Sequence, residues 1–429
     1  MKLPLATAWL SCGLAVATGC GGHSGSGSQL GSGSETRSGS QSSSGSSSSG
    51  AANSISVTVN SGPATIEYIN GLFTSVTVCV PGTTTCQTID SALVDTGSVG
   101  LRVLSSGAGG ELSLSLPIET AANGNPIAEC NPFINTYTWG PVRMADILLG
   151  GEQAHSAPIQ VIGDPEFAAV PDSCSSTGGT SADTLEGLGA NAILGVGVVP
   201  EDCGGICAES PTAANTQNPG NVYYECPSSG CEAAAVAVEN QVQNPVSMFS
   251  TDNNGIVIDL PAVPANGAPS ASGTLIFGIG TESNNALGNA QVLTMSPTML
   301  SFSTTYSGQT YTSFIDSGSN AVSFLDSNLT NISTCTSTTF EGLYCPSSSA
   351  TLAAVNVGVN GATSSVSFSV ANAETLLSSG ADLAFGDLAG TSVNGEYIDW
   401  GLPFFFGRKT FFAIEEAQAP GGSTPYVAY

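Results

Sequence analysis

Apolar and polar residues alternate with a period of two through much of the chain. Ile55-Ser56-Val57-Thr58-Val59 and Ser75-Val76-Thr77-Val78 read as strands with one face in a core. Gly255-Ile256-Val257-Ile258-Asp259-Leu260 and Gly273-Thr274-Leu275-Ile276-Phe277-Gly278 are short apolar runs bounded by glycine, the signature of buried strands. Further strands are expected within residues 353–370 and 157–162. Helical signal is scarce: only the Ala- and Val-rich stretch 232–240 reads as a short helix. The pattern predicts an all-β protein.

One stretch of this pattern carries chemistry. In Ala92-Leu93-Val94-Asp95-Thr96-Gly97-Ser98-Val99-Gly100-Leu101 an apolar strand runs into an acidic turn and leaves as another apolar strand. Val and Leu suit a half-buried pleated surface, and Thr-Gly-Ser suits a tight turn. The Asp95 carboxylate is thereby held at the tip of a loop clamped by two core strands. Phe314-Ile315-Asp316-Ser317-Gly318-Ser319-Asn320-Ala321-Val322 repeats the arrangement, with its Asp 221 positions later. Two such loops meeting at a pseudo-twofold axis bring two carboxylates face to face. Both cannot ionise at once, so they share one proton. One can then take a proton from water while the other polarises a carbonyl.

These two loops resemble those of the pepsin-like aspartic peptidases, and the likeness runs from about residue 53 to the C-terminus. Each lobe of that family has a later apolar-apolar-Gly segment. Ala192-Ile193-Leu194-Gly195 is similar to the N-lobe version and Asp399-Trp400-Gly401-Leu402 to the C-lobe version, with Asp and Trp in place of the usual aliphatic pair. The resemblance implies a two-lobed all-β fold with a cleft between lobes: 53–247 the N-terminal lobe, 248–429 the C-terminal lobe. It implies a catalytic pair, Asp95 and Asp316, acting on a peptide or protein substrate with no metal or cofactor. Thr96 and Ser317 are expected to tie the loops together, and Ser98 and Ser319 to donate hydrogen bonds to the carboxylates. Gly97 and Gly318 complete the two loop motifs. The segment 245–250 is similar to the family's strand that crosses between lobes. The alternative class is a protein that keeps this fold as a binding or structural module without activity.

The family's flap hairpin corresponds to residues 133–146. Trp139-Gly140 is the closest match to its aromatic-Gly tip, with Tyr137 the alternative tip residue. Where the family has a Trp supporting the flap, this chain has Arg102. A cation–π contact between Arg102 and Trp139 is one expectation, worth roughly 0.5–2 kcal/mol; a solvent-pointing Arg102 beneath a shorter flap is the other. With the first, a guanidinium near Asp95 favours its ionised form and substrates with acidic side chains.

Composition narrows the function classes. The 429-residue chain has 6 Lys+Arg against 33 Asp+Glu, a formal charge of −27, which argues against nucleic acid as a partner because its phosphates would be repelled. Charged residues are only 9% while 41% are hydrophobic, which indicates a packed globule. The acidic excess fits either simple solubility or service at acid pH. Of the two histidines, His23 and His155, neither lies beside a candidate nucleophile, so serine chemistry has no base.

The first 20 residues read as an export signal, with Lys2 the only charge and an apolar run too short to span a membrane stably. Ala17-Thr18-Gly19-Cys20 resembles a bacterial lipoprotein cleavage site, which makes Cys20 the lipid-bearing residue and the membrane a partner. A plain secretory signal is the alternative. Residues 21–52 are almost all Gly and Ser and read as a flexible tether. In an exported protein the cysteines other than Cys12 and Cys20 are expected as disulfides instead of zinc ligands. Cys79 with Cys86 closes a hairpin. Local pairing gives 203–207, 226–231 and 335–345, leaving 130–174 as the long bridge, although spacing alone does not fix the connectivity.

Overall fold

The structure, a computed structural model, describes residues 52–133, 135–176, 179–209, 222–392 and 397–429. The expected signal segment, Cys20 and the tether up to residue 51 lie outside the described residues. The fold is all-β, as the alternation predicts, and the helices among the described residues are single turns such as Asp172–Ser175 and Ala373–Leu376. Among the described residues no helix is long and apolar enough to cross a membrane.

Each half contains the same three-strand arrangement around its Asp loop. In the N-terminal half Cys86–Asp95 runs parallel to Ala192–Val196, and Val99–Leu104 lies antiparallel on the other side of the latter. In the C-terminal half Gln309–Ile315 runs parallel to Tyr397–Trp400, with Val322–Phe324 antiparallel beyond it. The chain leaves each Asp by a turn and re-enters the sheet across the later strand, so each carboxyl sits where two strands diverge. Alternation then decides which side chains face the core. Leu194 and Trp400 point into the main core, and Trp400 packs edge-on against Phe368 at 5.1 Å between ring centres. Their neighbours Ile193 and Asp399 therefore face the opposite side.

The halves share one sheet. Ser54–Asn60 pairs with Gly71–Cys79 on one edge and with Ala271–Phe277 on the other. Ala271–Phe277 continues through Gly255–Leu260 to Arg408–Ala413. Further crosslinking comes from Asn70, whose buried amide donates to Asn320 O at 2.7 Å and Phe385 O at 3.0 Å.

Three local expectations are corrected. Residues 232–240 form a short strand, Glu232–Ala233, and a single 3-10 turn, Val238–Asn240, instead of a helix. Pro245–Met248 is a 3-10 turn, not a strand, because the Asn244 side chain caps it and proline occupies its first position. The stretch 200–232, whose cysteines, prolines and few apolar runs suggest a surface excursion, is not one throughout: Tyr223–Glu225 adds a strand beside Ile127–Pro132, and Tyr223 and Tyr224 are buried.

All ten cysteines outside residues 1–51 are paired: 79–86, 130–174, 203–207, 226–231 and 335–345. Loop closure makes the 130–174 bridge, with a separation of 44, the most stabilising. Replacing Cys130 and Cys174 together by Ala should lower unfolding free energy by roughly 2–4 kcal/mol, and by more than the same change at Cys203 and Cys207. Chemical denaturation of the unreduced variants measures both.

Candidate active site

The two Asp loops grip each other through their second residues. Thr96 N–H donates to Ser317 Oγ at 3.1 Å, and Ser317 N–H donates to Thr96 Oγ1 at 2.9 Å. Each hydroxyl in turn donates to a strand carbonyl of the opposite half, Ser317 to Val94 O at 2.8 Å and Thr96 to Ile315 O at 3.3 Å. All four groups are buried, so each backbone N–H that the turns free from the sheet is satisfied by the partner loop.

This grip sets Asp95 and Asp316 against one another. Gly97 N–H donates to Asp95 Oδ1 at 2.8 Å and Gly318 N–H to Asp316 Oδ1 at 2.7 Å. Ser98 Oγ donates to Asp95 Oδ2 at 2.5 Å, and Ser319 Oγ lies 2.9 Å from Asp316 Oδ2. The glycines permit the approach. A methyl on Gly97 would fall 2.6 Å from Asp316 Cγ, and one on Gly318 would fall 2.6 Å from Asp95 Oδ1. The carboxyls are 1% and 0% exposed and within hydrogen-bond reach of each other. Burial, then the charges of Asp95 and Asp399, hold Asp316 well above the usual carboxylate range. Two carboxyls this close and this buried cannot both ionise, so the pair can polarise one group while accepting a proton from another.

Three further residues reach this centre. Tyr68 is buried, packs edge-on against Phe73, and its hydroxyl lies beside the Asn320 side chain. Burial first, and then Asp95 and Asp316, push its phenol above the ordinary range. Asn320 donates to Ile69 O, which fixes the segment carrying Tyr68 against the second Asp loop. Asp399 is 1% exposed and places Oδ2 2.6 Å from Ser319 Oγ. Burial pushes its carboxyl up to about 8, against the lowering effect of the Ser319 hydroxyl. The departure of Asp399-Trp400 from an aliphatic pair was the only sequence signal for any of the three.

Arg102 is elsewhere, and the cation–π expectation is corrected. Its guanidinium is fully buried and donates to Glu129 Oε1 at 2.5 Å, Asp202 Oδ2 at 2.9 Å, Asn131 Oδ1 at 3.1 Å and Val99 O at 2.6 Å. Tyr223 extends the network by donating to Asp202 Oδ1 at 2.8 Å. Burial opposes the guanidinium's charge, but Glu129 and Asp202 outweigh it and raise its pKa further. Trp139 instead donates from Nε1 to Phe167 O at 2.7 Å and packs edge-on against Tyr224. Solvent exposure of Arg102 is equally excluded, and with its charge satisfied here the expected preference for acidic substrates loses its basis. Nor are Tyr137 and Trp139 at a hairpin tip. They pair with Pro132 and Cys130 along the arms of the hairpin formed by Ile127–Pro132 and Thr136–Leu149, and Gly140 pairs with Glu129 below them.

The family described as "Protein of unknown function (DUF3443)" matches residues 49–429. The chain belongs to this family. No curated protein matches it. Among solved structures, the aspartic proteinase from Irpex lacteus is similar at 13% identity and a TM-score of 0.49, over 87% of this chain and 96% of that one.

Two outcomes follow from the buried charges of this family member. Removing Arg102 leaves Glu129 and Asp202 uncompensated in the interior, so Arg102→Met should cost roughly 3–5 kcal/mol in chemical denaturation. Asp399 binds its proton more tightly folded than unfolded. Stability should therefore be highest at acid pH and decline as pH rises from the ordinary carboxylate range towards about 8, a trend that thermal unfolding at stepped pH will show.

Proposed function

We propose that the protein is an aspartic endopeptidase that hydrolyses peptide bonds with a water activated between Asp95 and Asp316. The observation that carries this reading is the pair of carboxyls from matched loops, each with one oxygen held by a glycine N–H and the other by a serine hydroxyl. With the shared proton on Asp316, Asp95 takes a proton from the water as its oxygen adds to the scissile carbonyl. Asp316 donates to the carbonyl oxygen, and the roles reverse as the tetrahedral intermediate collapses and the amine leaves protonated. The reaction needs no metal or cofactor.

Asp95→Asn and Asp316→Asn should each abolish cleavage of unfolded protein substrates at acid pH without loss of folding. A statine-type inhibitor should do the same to the wild type. Equal residual cleavage by wild type and both variants across the acid range would sink the enzyme reading. The near-complete burial of both carboxyls favours the second reading in that event, a catalytically silent binding or structural protein.

The five disulfides support an oxidising compartment, extracellular or periplasmic, for the folded body. We propose further that it is held at a bacterial envelope membrane by a lipid on Cys20, with residues 21–52 as the spacer. The wild type should then partition into detergent and Cys20→Ser should not. A mature N-terminus anywhere other than Cys20 would contradict this.

A further inference from the structure

The two halves of the site are not chemically equivalent. In the N-terminal half the strand after the Asp loop's partner carries Ile193, paired with Leu93 and Arg102. The same register position in the C-terminal half is Asp399, paired with Phe314 and Ser323. Ser98 accordingly meets one carboxyl, while Ser319 meets two: Asp316 Oδ2 at 2.9 Å and Asp399 Oδ2 at 2.6 Å.

A hydroxyl has one proton to donate. If it goes to Asp316, the 2.6 Å contact with Asp399 requires a proton from Asp399, because two lone pairs at that distance repel. If it goes to Asp399, the proton on Asp316 must turn outward to Ser319 and is withdrawn from Asp95. Only the first arrangement leaves the pair able to share a proton. Asp399 Oδ1 gives a second, independent reason. It is buried without a hydrogen-bond partner among the described residues, which a neutral carbonyl oxygen tolerates far better than an ionised one.

We propose that Asp399 is a third, protonated carboxyl of the site, a positioning residue that donates to Ser319 Oγ and through it fixes the hydrogen bond on Asp316. The chain Asp399–Ser319–Asp316 is also a proton path. The proton on Asp399 Oδ2 passes to Ser319 Oγ as the serine proton passes to Asp316 Oδ2, leaving Asp399 as carboxylate and the serine neutral. Asp316 is thereby kept charged with a proton further towards neutral pH than a pair alone would be. The ionisable groups facing Asp399 reinforce this. Asp95 and Asp316 are both acids, Tyr68 stands beyond them, and Tyr397 lies two residues earlier on the same strand face. The flanking strands Gln309–Ile315 and Val322–Phe324 hold no Asp, Glu, Lys, Arg or His.

The catalytic consequence rests on the endopeptidase reading; the protonation itself does not. Asp399→Asn keeps a donor to Ser319 without a titrating group, and Asp399→Ile copies the N-terminal half. Infrared difference spectra at about pH 6, where ordinary carboxylates are ionised, should show one protonated-carboxyl C=O band fewer in each variant. The remaining band should titrate away about one pH unit lower than in wild type, since ionisation no longer falls first on Asp399, whose carboxylate then opposes that of Asp316. The alkaline limb of kcat/KM should move down by the same amount. An unchanged band count in a folded variant, or a limb and titration that stay in place, overturns the proposal. If wild type cleaves no peptide while the infrared result holds, the endopeptidase reading fails and the protonated Asp399 stands.

Discussion

The reciprocal hydrogen bonds between Thr96 and Ser317 are the constraint on which the rest of the structure depends. Each Asp loop leaves its sheet by a turn that strands a backbone N–H in the interior, and neither half offers its own acceptor. Burying such a group unpaired costs about 1–3 kcal/mol, so each loop is satisfied only when the other is present. The halves are consequently locked at the atoms that matter most. Their carboxyls approach closely because the glycine that follows leaves room on both sides.

Around this constraint the protein tolerates wide departures from symmetry. One half supports its loop with a buried ionic cluster, Arg102 with Glu129 and Asp202, which ties the strand after the turn to the hairpin and to the disulfide-rich segment. The other supports it with rings, Trp400 against Phe368 and Phe404. The three-strand arrangement at each loop is the same, and the means of filling the space behind it differs.

What could be read from the chain follows from how local each feature is. The Asp loops were legible because strand, turn and strand are contiguous in sequence, and a second copy made chance an unsatisfactory explanation. Local pairing of near cysteines, with one long bridge left over, matches the five disulfides, although spacing alone leaves their connectivity open. Arg102 was not legible because its partners Glu129 and Asp202 lie 27 and 100 positions away, and nothing near it announces them. Trp139 was misplaced because a tip residue and an arm residue of one hairpin differ only in register, which cross-strand pairing decides. The turn at Pro245 has its local signal in Asn244-Pro245, which outweighs the likeness of 245–250 to a crossing strand. Tyr68 reaches the centre only through a loop that carries no periodic pattern.

The first described strand has a mechanical consequence. Ser54–Asn60 lies between strands of both halves, and its ladder to Ala271–Phe277 runs the length of the strand, from Ser54↔Ile276 to Val59↔Ala271. Tension applied along this strand from the preceding chain would load those hydrogen bonds together, in shear, instead of opening them one after another. The force would pass directly into the C-terminal half through the central sheet, bypassing the loops that hold the carboxyls. Pulled from this end, the strand should therefore hold until its ladders to both halves give way together.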